Sequence, residues 1–514
     1  MLKKITLIGE QKNVLFLSPK NPIQIKGVAG SGKTTVALYR AKHLLETENN
    51  LFQEAKIAIF TFNKTLAAYI REVSPYINGG YKKNSEEINP TTPEGLKVKI
   101  INFHQWAYHF LKEQGNPLYD IDVDGERIYK TIKDYKKKEI IELCKSKFNE
   151  YSIAQKSVEF FSDEISWIKG KLFKNKEEYL EAERRGRGTA DRVIKKDKEI
   201  IWEIYKEYQK ELKERDKVDF DDYAILSLET IERNSDFTPP FTHIIIDEAQ
   251  DLTKAQILTI NKLVSDETQS LTIIADAAQR IYKSGFIWKE VGINVRGGRT
   301  IELKKNYRNT IQIASAATSL LDKENDKSEF TELINAKREG AKPKLGNFTN
   351  KNDQFEFLNK ELKYLLNKEL IGDTVILHRT NEGVQKIKRF LSQNKYRIEI
   401  IKSNNPVEYD NDSIKICTMS SIKGLEFDNV FILDLNEDII PFPPGFIEED
   451  DEHHISTERR LLYTCMTRAR DRLYLISSSE PTRYLYEIDE DLLDEIDYQP
   501  VNTNNDYDGD DLPF

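Results

Sequence analysis

The stretch GVAGSGKT at residues 27–34 fits the pattern G-x-x-x-x-G-K-[ST], a loop whose backbone N–H groups surround nucleotide phosphates. Residues 22–26 before it are predicted to form a short strand, and residues 35–45 after it have the apolar spacing of a helix. A strand, a glycine-rich loop and a helix in this order direct the N-terminus of the helix at a phosphate. The stretch therefore predicts an α/β domain that binds a nucleoside triphosphate.

The residue types within the loop assign its contacts, because its glycines allow close approach of the backbone and positive φ. Lys33 is expected to reach the β- and γ-phosphates, and Thr34 to bind Mg²⁺. Gln11 precedes the loop by a distance that would let its amide read an adenine edge; an ordinary surface glutamine is the alternative. The nucleotide contacts predicted in and beside the loop are Gly27, Ala29, Gly30, Ser31, Gly32, Lys33, Thr34 and Thr35.

The composition limits the classes of protein to consider. A chain of 514 residues is long enough for two to four domains. Its three cysteines, Cys144, Cys417 and Cys465, lack metal-ligand spacing, which favours a reducing compartment without a structural zinc or iron–sulfur site. No signal peptide is evident, and no apolar run approaches the roughly 18 residues of a membrane span. We therefore expect a cytoplasmic protein with no membrane partner.

The acidic charge is concentrated at the C-terminal end. The net charge is −9, but residues 480–514 carry twelve Asp and Glu against one Arg, which leaves +2 for the rest of the chain. The overall pI is therefore a poor guide to nucleic-acid binding. Residues 481–514 are expected to be an acidic tail that is disordered at its end.

Polar side chains follow two predicted strands of the first α/β unit. Residues 56–64 indicate a buried strand that ends at Thr61, Asn63 and Lys64, and residues 98–101 indicate another that leads into 102–106 with His104. In α/β proteins ligands bind at the carboxyl ends of strands. Mixed polar and aromatic residues there suit single-stranded nucleic acid.

From residue 107 to 217 the composition changes to Lys, Glu, Tyr and Leu at helical spacing, as in 129–148 and 200–212, without strand-like runs. We interpret this region as a helical insertion in the first α/β unit. The basic segment 183–188 is a solvated loop or, alternatively, a phosphate-backbone contact.

Acidic and amide residues follow the next two strands. Residues 243–251 form an apolar strand ending in Asp247 and Glu248, which are expected to hold Mg²⁺ and to deprotonate the attacking water respectively. A strand at 271–276 leads to Gln279, placed to sense a γ-phosphate, and to Tyr282, which is suited to stacking on a base.

A second α/β unit is indicated by strands at 373–379, 413–418, 429–433 and 473–476 and by a helix at 458–470. Arg308 and Arg468 belong to this half of the chain. An unpaired guanidinium is costly in a protein interior. We therefore expect both arginines to face the triphosphate as arginine fingers.

Taken together and in this order, these motifs resemble the superfamily 1 helicases of the UvrD/Rep/PcrA group. The resemblance runs from Gln11 to Arg470. Beyond the loop it rests on NFH at 102–104, IIIDEAQD at 244–251, ADAAQRIY at 275–282, NYRNT at 306–310, TMSSIKGLEF at 418–427 and ERRLLYTCMTRAR at 458–470. It implies an α/β fold with two RecA-like P-loop domains built on parallel sheets, with ATP in the cleft between them and single-stranded DNA across both.

The resemblance also implies residue roles. Gln11 and Tyr282 would contact adenine, and Glu426 the ribose. Gln279, Arg308 and Arg468 would read the γ-phosphate. The residues expected at the DNA are Thr61, Asn63, Lys64, His104, Phe286, Trp288, Arg379, Thr418 and Ser420.

Several positions depart from the pattern of the group, including the segment 61–64, where the aromatic residue is shifted by one position. Ser420 stands where the group usually has His, and Ala275 replaces the usual Gly. Phe286 or Trp288 takes the place of the DNA-stacking Trp. The replacement of His by Ser420 is expected to weaken a contact that couples the DNA site to the ATP site.

The expected domains are residues 1–106 with 218–290 (first RecA-like domain), 107–217 (helical accessory insertion), 291–480 (second RecA-like domain) and 481–514 (acidic tail). Only about 110 residues separate Arg308 from Thr418, barely enough for the core of one domain. The large second accessory domain of the group is therefore expected to be absent or vestigial.

Two functions fit these observations. The first is an ATP-dependent translocase or helicase, stimulated by single-stranded or tailed DNA, using ATP and Mg²⁺ and moving 3′→5′. The second is a regulatory DNA-dependent ATPase that gates a separately encoded nuclease or effector, as in phage defence, with weak unwinding. The last five residues, Asp510, Asp511, Leu512, Pro513 and Phe514, resemble the tail tip of single-stranded-DNA-binding proteins and predict docking on a protein partner or on the chain itself.

Overall fold

The computed structural model describes residues 6–48, 54–61, 81–83, 87–90, 98–121, 126–182, 193–276, 278, 288–295, 297–324, 330, 338–371, 373–401, 413–442 and 448–496. The strands are β1 (Ile23–Gly27), β2 (Ile57–Thr61), β3 (Tyr81–Lys83), β4 (Glu87–Pro90), β5 (Val98–Asn102), β6 (Tyr119–Ile121), β7 (Arg127–Tyr129), β8 (His243–Ile246), β9 (Ser270–Ala275), β10 (Thr300–Leu303), β11 (Lys344–Asn347), β12 (Thr374–His378), β13 (Ile398–Ile400), β14 (Ile414–Thr418), β15 (Phe427–Ile432), β16 (Ala469–Ser477) and β17 (Asp494–Glu495). The α-helices are α1 (Lys33–Glu48), α2 (Phe103–Glu113), α3 (Asp134–Ser146), α4 (Val158–Lys171), α5 (Lys176–Glu181), α6 (Lys195–Glu214), α7 (Asp222–Arg233), α8 (Lys254–Asn261), α9 (Ile311–Leu320), α10 (Lys351–Asn367), α11 (Asn381–Gln393) and α12 (Glu448–Met466).

The first sheet has the strand order β10-β1-β9-β8-β2-β5-β4-β3. The six strands from β10 to β5 are parallel, and β4 and β3 continue the sheet antiparallel. Strands such as β2 and β8 are buried along their whole length, as parallel strands with both faces covered must be. Their carboxyl ends, with the loop at 27–34, lie along one edge of the sheet.

The second sheet has the order β13-β14-β12-β15-β16-β11-β17, and every neighbouring pair in it is parallel. The predicted fold class, two α/β domains built on parallel sheets, is confirmed. Each sheet is covered by its own buried apolar clusters, for example Ile244, Ile246 and Leu271 in the first domain and Val375, Val430 and Leu475 in the second.

Both predicted boundaries of the second domain are wrong. Thr300–Leu303, expected in the second domain, is strand β10 and pairs with β1 at the edge of the first sheet, so the chain leaves that sheet only after Leu303. The expected tail begins too early, because residues 483–496 form two short 3-10 helices and β17. Tyr484 and Ile488 lie in the core of the second domain. Their apolar side chains bind this acidic segment to the domain; residues 497–514 lie outside the described residues.

The insertion is helical, as expected, but it also contains strands. Helices α3 to α6 enclose an apolar cluster that includes Trp167, Tyr179 and Trp202. Strands β6 and β7 pair antiparallel as a hairpin, which corrects the expectation of no strands between residues 107 and 217. Tyr129 accordingly ends a strand, and the helix predicted from residue 129 begins at Asp134.

Buried ion pairs join the insertion to the first domain. The ammonium of Lys169 on α4 lies 2.8 Å from Asp219 and 2.7 Å from Asp222, at the beginning of α7. Lys137 on α3 lies 2.8 Å from Asp221. Burial opposes ionisation of Asp219, but Lys169 and Lys137 outweigh it and lower the pKa of this carboxyl.

Lys169→Ala is expected to destabilise this junction by about 3–5 kcal/mol, because it removes the cation that pairs directly with the buried carboxylates of Asp219 and Asp222. Urea unfolding followed by tryptophan fluorescence reports on the insertion through Trp167 and Trp202, two of the four tryptophans of the chain. The control Lys206→Ala removes a pair whose lysine side chain is 60% exposed, and we expect it to cost less than about 1 kcal/mol. Equal urea midpoints for the two variants would contradict a structural role for the buried pair.

Candidate nucleotide site and nucleic-acid interface

The loop at residues 27–34 connects β1 directly to α1. Gly30 and Gly32 have φ of +74° and +80°, a region that side chains disfavour. A Cβ on Gly30 would lie 2.1 Å from Oδ1 of Asn306, and one on Gly32 would lie 2.4 Å from Nε2 of Gln11. Glycine is therefore required at both positions by backbone conformation and by close neighbours.

The ammonium group of Lys33 donates three hydrogen bonds beneath the loop. Its Nζ donates to the carbonyl oxygens of Gly27 and Val28 and to Oδ2 of Asp276, each at 3.0 Å. Asp276 follows β9, which is next to β1 in the sheet. Sequence reasoning missed this partner, although its position after a predicted strand was a usable signal.

Gln11 lies against the loop and is 4% exposed, so the alternative of a surface glutamine is wrong. Its Nε2 donates to the carbonyl of Ser31 at 2.8 Å, and its Oε1 accepts from the N–H of Ile8 at 3.0 Å. The side chain is thus fixed beside the phosphate loop. Its contact with adenine remains a prediction.

Thr34 and Asp247 form the candidate metal site. Oγ1 of Thr34 donates to Oδ2 of Asp247 at 2.9 Å, and the carboxylate is fully buried. Burial, together with neighbouring Glu248, raises the pKa of Asp247 to about 7. A divalent cation would stabilise the ionised form, and a hydroxyl with a carboxylate oxygen are ligands that Mg²⁺ prefers. These residues therefore fit Mg²⁺.

Glu248, the predicted base, is held in the ionised form. It lies just after β8 with φ of +58°, and Nε2 of Gln250 donates to its Oε2 at 2.5 Å. Burial would raise the pKa of Glu248, but the ammonium groups of Lys423 and Lys33 and the guanidinium of Arg468 lower it to about 2. Cations from both domains therefore act on this carboxylate.

Lys423 is a cleft residue that sequence reasoning did not identify. It lies between β14 and β15 of the second domain and is 3% exposed. Its Nζ contacts Asp251 and lies 3.8 Å from Oε2 of Glu248, both in the first domain. This buried ion pair joins the domains beside the carboxylate that is predicted to act as the base. A lysine within TMSSIKGLEF was the signal available in the sequence.

The two predicted arginine fingers lie close together in the cleft. Arg308 pairs with Glu426, and its Nη1 donates to the carbonyl of Thr467 at 3.3 Å. Its Nε has no hydrogen-bond partner among the described residues. Nε of Arg468 donates to the carbonyl of Thr464 at 2.9 Å. Burial and the charge of Arg308 lower the pKa of Arg468, while Glu248 and Glu426 oppose this.

Two asparagines that sequence reasoning missed connect the loop to the second domain. The N–H of Tyr307 donates to the carbonyl of Gly30 at 2.9 Å. Beside it, Oδ1 of Asn306 accepts from the N–H groups of Arg308 and Asn309 at 2.9 and 3.0 Å. Nδ2 of Asn309 then donates to the carbonyls preceding Arg468 and Arg470 at 3.0 and 2.5 Å. The structure thus brings both arginines, Glu426, Glu248, Lys33 and the metal ligands to one cleft.

The predicted DNA residues that are described follow the ends of strands. Thr61 ends β2 and is buried, and Thr418 ends β14 with its hydroxyl 2.9 Å from that of Ser421. Ser420 is exposed, and Trp288 is half-buried. Arg379 follows β12, but Glu458 already holds its guanidinium with two hydrogen bonds of 2.8 Å. The remaining predicted residues, Asn63, Lys64, Gln279, Tyr282 and Phe286, lie outside the described residues, as do the last five.

An exposed aromatic residue accompanies His104. The His104 ring, at the start of α2, packs edge-on against Phe220 and Tyr223, with centroids 5.6 and 5.7 Å apart. Phe220 is 50% exposed, which is unusual for a large apolar side chain in a domain with ample core. The contact between His104 and Phe220 was not predicted, because the two residues lie on opposite sides of the insertion and are far apart along the chain.

Comparison with known proteins agrees with this arrangement. The family model for the UvrD/REP helicase N-terminal domain matches residues 7–285. The UvrD-like helicase C-terminal domain matches in two pieces, 301–406 and 397–480. The two pieces overlap at residues 397–406, which include β13 (Ile398–Ile400) between α11 and β14.

Individual relatives are similar over most of this chain. A protein described as a DNA helicase II homologue from Mycoplasma capricolum is 24% identical over 77% of this chain and 52% of its own length. The ATP-dependent DNA helicases PcrA of Leuconostoc citreum and Staphylococcus aureus strain Mu50 are 24% and 27% identical over 72% and 70% of this chain. The chain spans about half the length of these curated relatives.

Proposed function

The chain belongs to the UvrD/Rep helicase family, and from this premise we propose that it is an ATP-dependent translocase or helicase, stimulated by single-stranded DNA and moving 3′→5′. The observation that carries the proposal is the composite cleft. Lys33, Thr34, Asp247 and Glu248 from the first domain face Arg468 and Lys423 from the second. A site divided in this way is complete only when the domains are together.

The chain's own residues account for each requirement of phosphoryl transfer. Lys33 and the loop N–H groups would bind the phosphates, while Thr34 and Asp247 would hold Mg²⁺, which supplies charge stabilisation to the transferring phosphoryl group. Glu248 would orient the attacking water and accept its proton. Arg308 and Arg468 would stabilise the charge that develops on the γ-phosphate.

The coupling between ATP and motion would come from the contacts that cross the cleft. Lys423 already joins the second domain to Asp251 and Glu248. A nucleotide that binds the closed cleft more tightly than the open one shifts the domains toward closure, and hydrolysis releases them. Residues at the strand ends of both sheets, with Phe220 beside His104, would then be displaced along a DNA strand in steps.

The regulatory alternative is favoured by one observation, the short segment 401–413 between β13 and β14. Thirteen residues cannot form the large second accessory domain expected in this part of the chain in the UvrD/Rep/PcrA group. On this alternative the ATPase would gate a separately encoded nuclease or effector, with weak unwinding.

A cytoplasmic location stays an expectation from the composition. Among the described residues, no helix has both the length and the apolar character needed to cross a membrane.

ATPase and strand-displacement assays on 3′-tailed, 5′-tailed and blunt duplexes test the proposal. Activity stimulated by single-stranded DNA, with displacement only from the 3′ tail, supports the helicase. Stimulated ATPase without displacement supports the regulatory alternative. Lys33→Ala is the negative control, and an RNA strand in parallel tests the choice of nucleic acid. No stimulated hydrolysis by the unaltered chain would exclude both functions.

The C-terminal residues Asp510, Asp511, Leu512, Pro513 and Phe514 are proposed to dock on a protein partner or on this chain's own DNA surface. Deleting them is expected to lower affinity for the partner, or to raise DNA-stimulated ATPase by removing a mimic of phosphates. Replacing Asp510 and Asp511 by Asn while retaining the last three residues separates charge from apolar contact. No change in either measurement would exclude both kinds of docking.

A further inference from the structure

Arg338 lies just before β11 and outside every motif described above. Its Nη1 donates to the carbonyl oxygen of Arg308 at 2.7 Å and to that of Arg470 at 2.9 Å. Its Nη2 pairs with Asp471. Its own carbonyl accepts from the N–H of Ile311 at 2.8 Å, which fixes its backbone to the start of α9.

These contacts join two separate pieces of chain. One is the segment after β10 that carries Arg308, and the other is the turn after α12, with Arg468, and the start of β16, with Arg470. A planar guanidinium can donate to two carbonyls and a carboxylate at once, whereas a lysine ammonium lacks this fixed geometry. Asp471 orients the guanidinium so that one nitrogen reaches both carbonyls.

Asn309 makes the corresponding connection on the buried side. Its Nδ2 bonds the carbonyls of Thr467 and Ala469, which flank Arg468. Arg338 joins the same two segments on the solvent side, where its side chain is 42% exposed. An ion pair that exposed contributes little to folding stability. The geometry therefore points to local positioning rather than to stabilisation of the domain.

We propose that Arg338 is a positioning residue for ATP hydrolysis, which joins the carbonyl of Arg308 to that of Arg470, two residues after Arg468, so that the guanidiniums of Arg308 and Arg468 reach the γ-phosphate together. The inference rests on the proposed function, because it assigns both arginines to the transition state. Catalytic groups lose effect steeply with small displacements. Without Arg338 the two segments would still be joined on the buried side, by Asn309 and by the bond from Arg308 to the carbonyl of Thr467.

Arg338→Ala is expected to lower kcat for DNA-stimulated ATP hydrolysis about tenfold while changing KM for ATP less than about twofold, because placement is lost in the transition state rather than in substrate binding. Arg338→Lys keeps a charge for Asp471 but not the bridge, so we expect it to restore little of kcat. The matched control is Arg389→Ala, an exposed arginine of the same domain that donates to one carbonyl, of Gln385. It should leave kcat unchanged.

The double variant Arg308→Ala/Arg338→Ala separates positioning from a general structural effect. If Arg338 acts through Arg308, its loss should have much less effect once Arg308 is absent, so the two effects on kcat are not additive. Additive effects, an unchanged kcat in Arg338→Ala, or full rescue by Arg338→Lys would overturn the inference. Absence of stimulated ATPase in the unaltered chain would instead refute the proposed function.

Discussion

Replacing Glu248 by Gln is expected to lower kcat for ATP hydrolysis about a thousandfold, the effect of removing a positioned general base. Gln has the same shape and can still occupy the pocket beside Gln250, so the fold should be retained. It cannot accept the proton of the attacking water. Single-turnover hydrolysis with saturating DNA measures the chemical step directly.

Nucleotide binding provides the second measurement for this variant. Lys33 and the loop are unchanged in Glu248→Gln, so affinity for ATP should remain within about threefold. The matched control is Glu361→Gln, a buried glutamate of α10 that contacts Lys344 and Tyr474 far from the cleft. A similar kcat for ATP hydrolysis in the Glu248 and Glu361 variants would show that Glu248 is not the general base.

Arg468→Ala is expected to lower kcat at least about a thousandfold, as loss of an arginine finger does. Burial and Arg308 lower the pKa of Arg468, while Glu248 and Glu426 raise it, so the guanidinium lies in the cleft near both carboxylates. We expect the γ-phosphate of bound ATP to contact this buried cation. Arg468→Lys should not restore activity, because an ammonium cannot reproduce the planar fork.

The control for this variant is Arg472→Ala, four residues along in β16, whose Nη1 lies 3.5 Å from Oδ1 of Asn429. We expect normal kcat for it. Affinity for ATP in the absence of DNA distinguishes a role of Arg468 in the transition state from a role in binding ground-state ATP. If Arg468 acts only in the transition state, its loss leaves this affinity nearly intact. A large loss of binding with unchanged kcat would show that Arg468 binds ground-state ATP instead.

The two predictions concern Glu248 of the first domain and Arg468 of the second. The cations around Glu248 explain why the effects of the two substitutions are expected to depend on each other. Lys423 and Arg468 from the second domain both act on the Glu248 carboxylate. On the proposed function, any movement that separates the domains would withdraw positive charge from Glu248 and both arginines from the phosphate at once. Hydrolysis would then be conditional on closure, which a motor and a gated regulator both require.

Local and contiguous features of this protein were predictable from its residues. The loop at 27–34 was identified because glycine spacing, lysine and threonine act within one strand–loop–helix unit. Most buried strands were identified for a similar reason, since an apolar run of four to six residues between polar residues is its own signal. Asp247 and Glu248 followed from their position at the end of such a run.

Assignments that depend on pairing across the chain were the ones that failed. β10 is as short as other strands, and nothing local shows that Thr300–Leu303 pairs with β1 rather than with a strand of the second sheet. The acidic residues at 487–495 suggested a solvated tail, whereas the burial of Tyr484 and Ile488 outweighs their charge. In the insertion, helical composition concealed the hairpin of β6 and β7.

The sequence by itself was enough to predict a phosphate loop, a metal-binding aspartate, a base and two arginine fingers, because each chemistry requires particular residue types at short spacing. Only the tertiary structure decided that Lys33 meets Asp276, that Lys423 meets Asp251 and that Arg338 joins Arg308 to Arg470. The members of these pairs are up to 243 residues apart along the chain. Their contact depends on the order of strands in two sheets and on the packing of one domain against the other, which no local pattern of residues encodes.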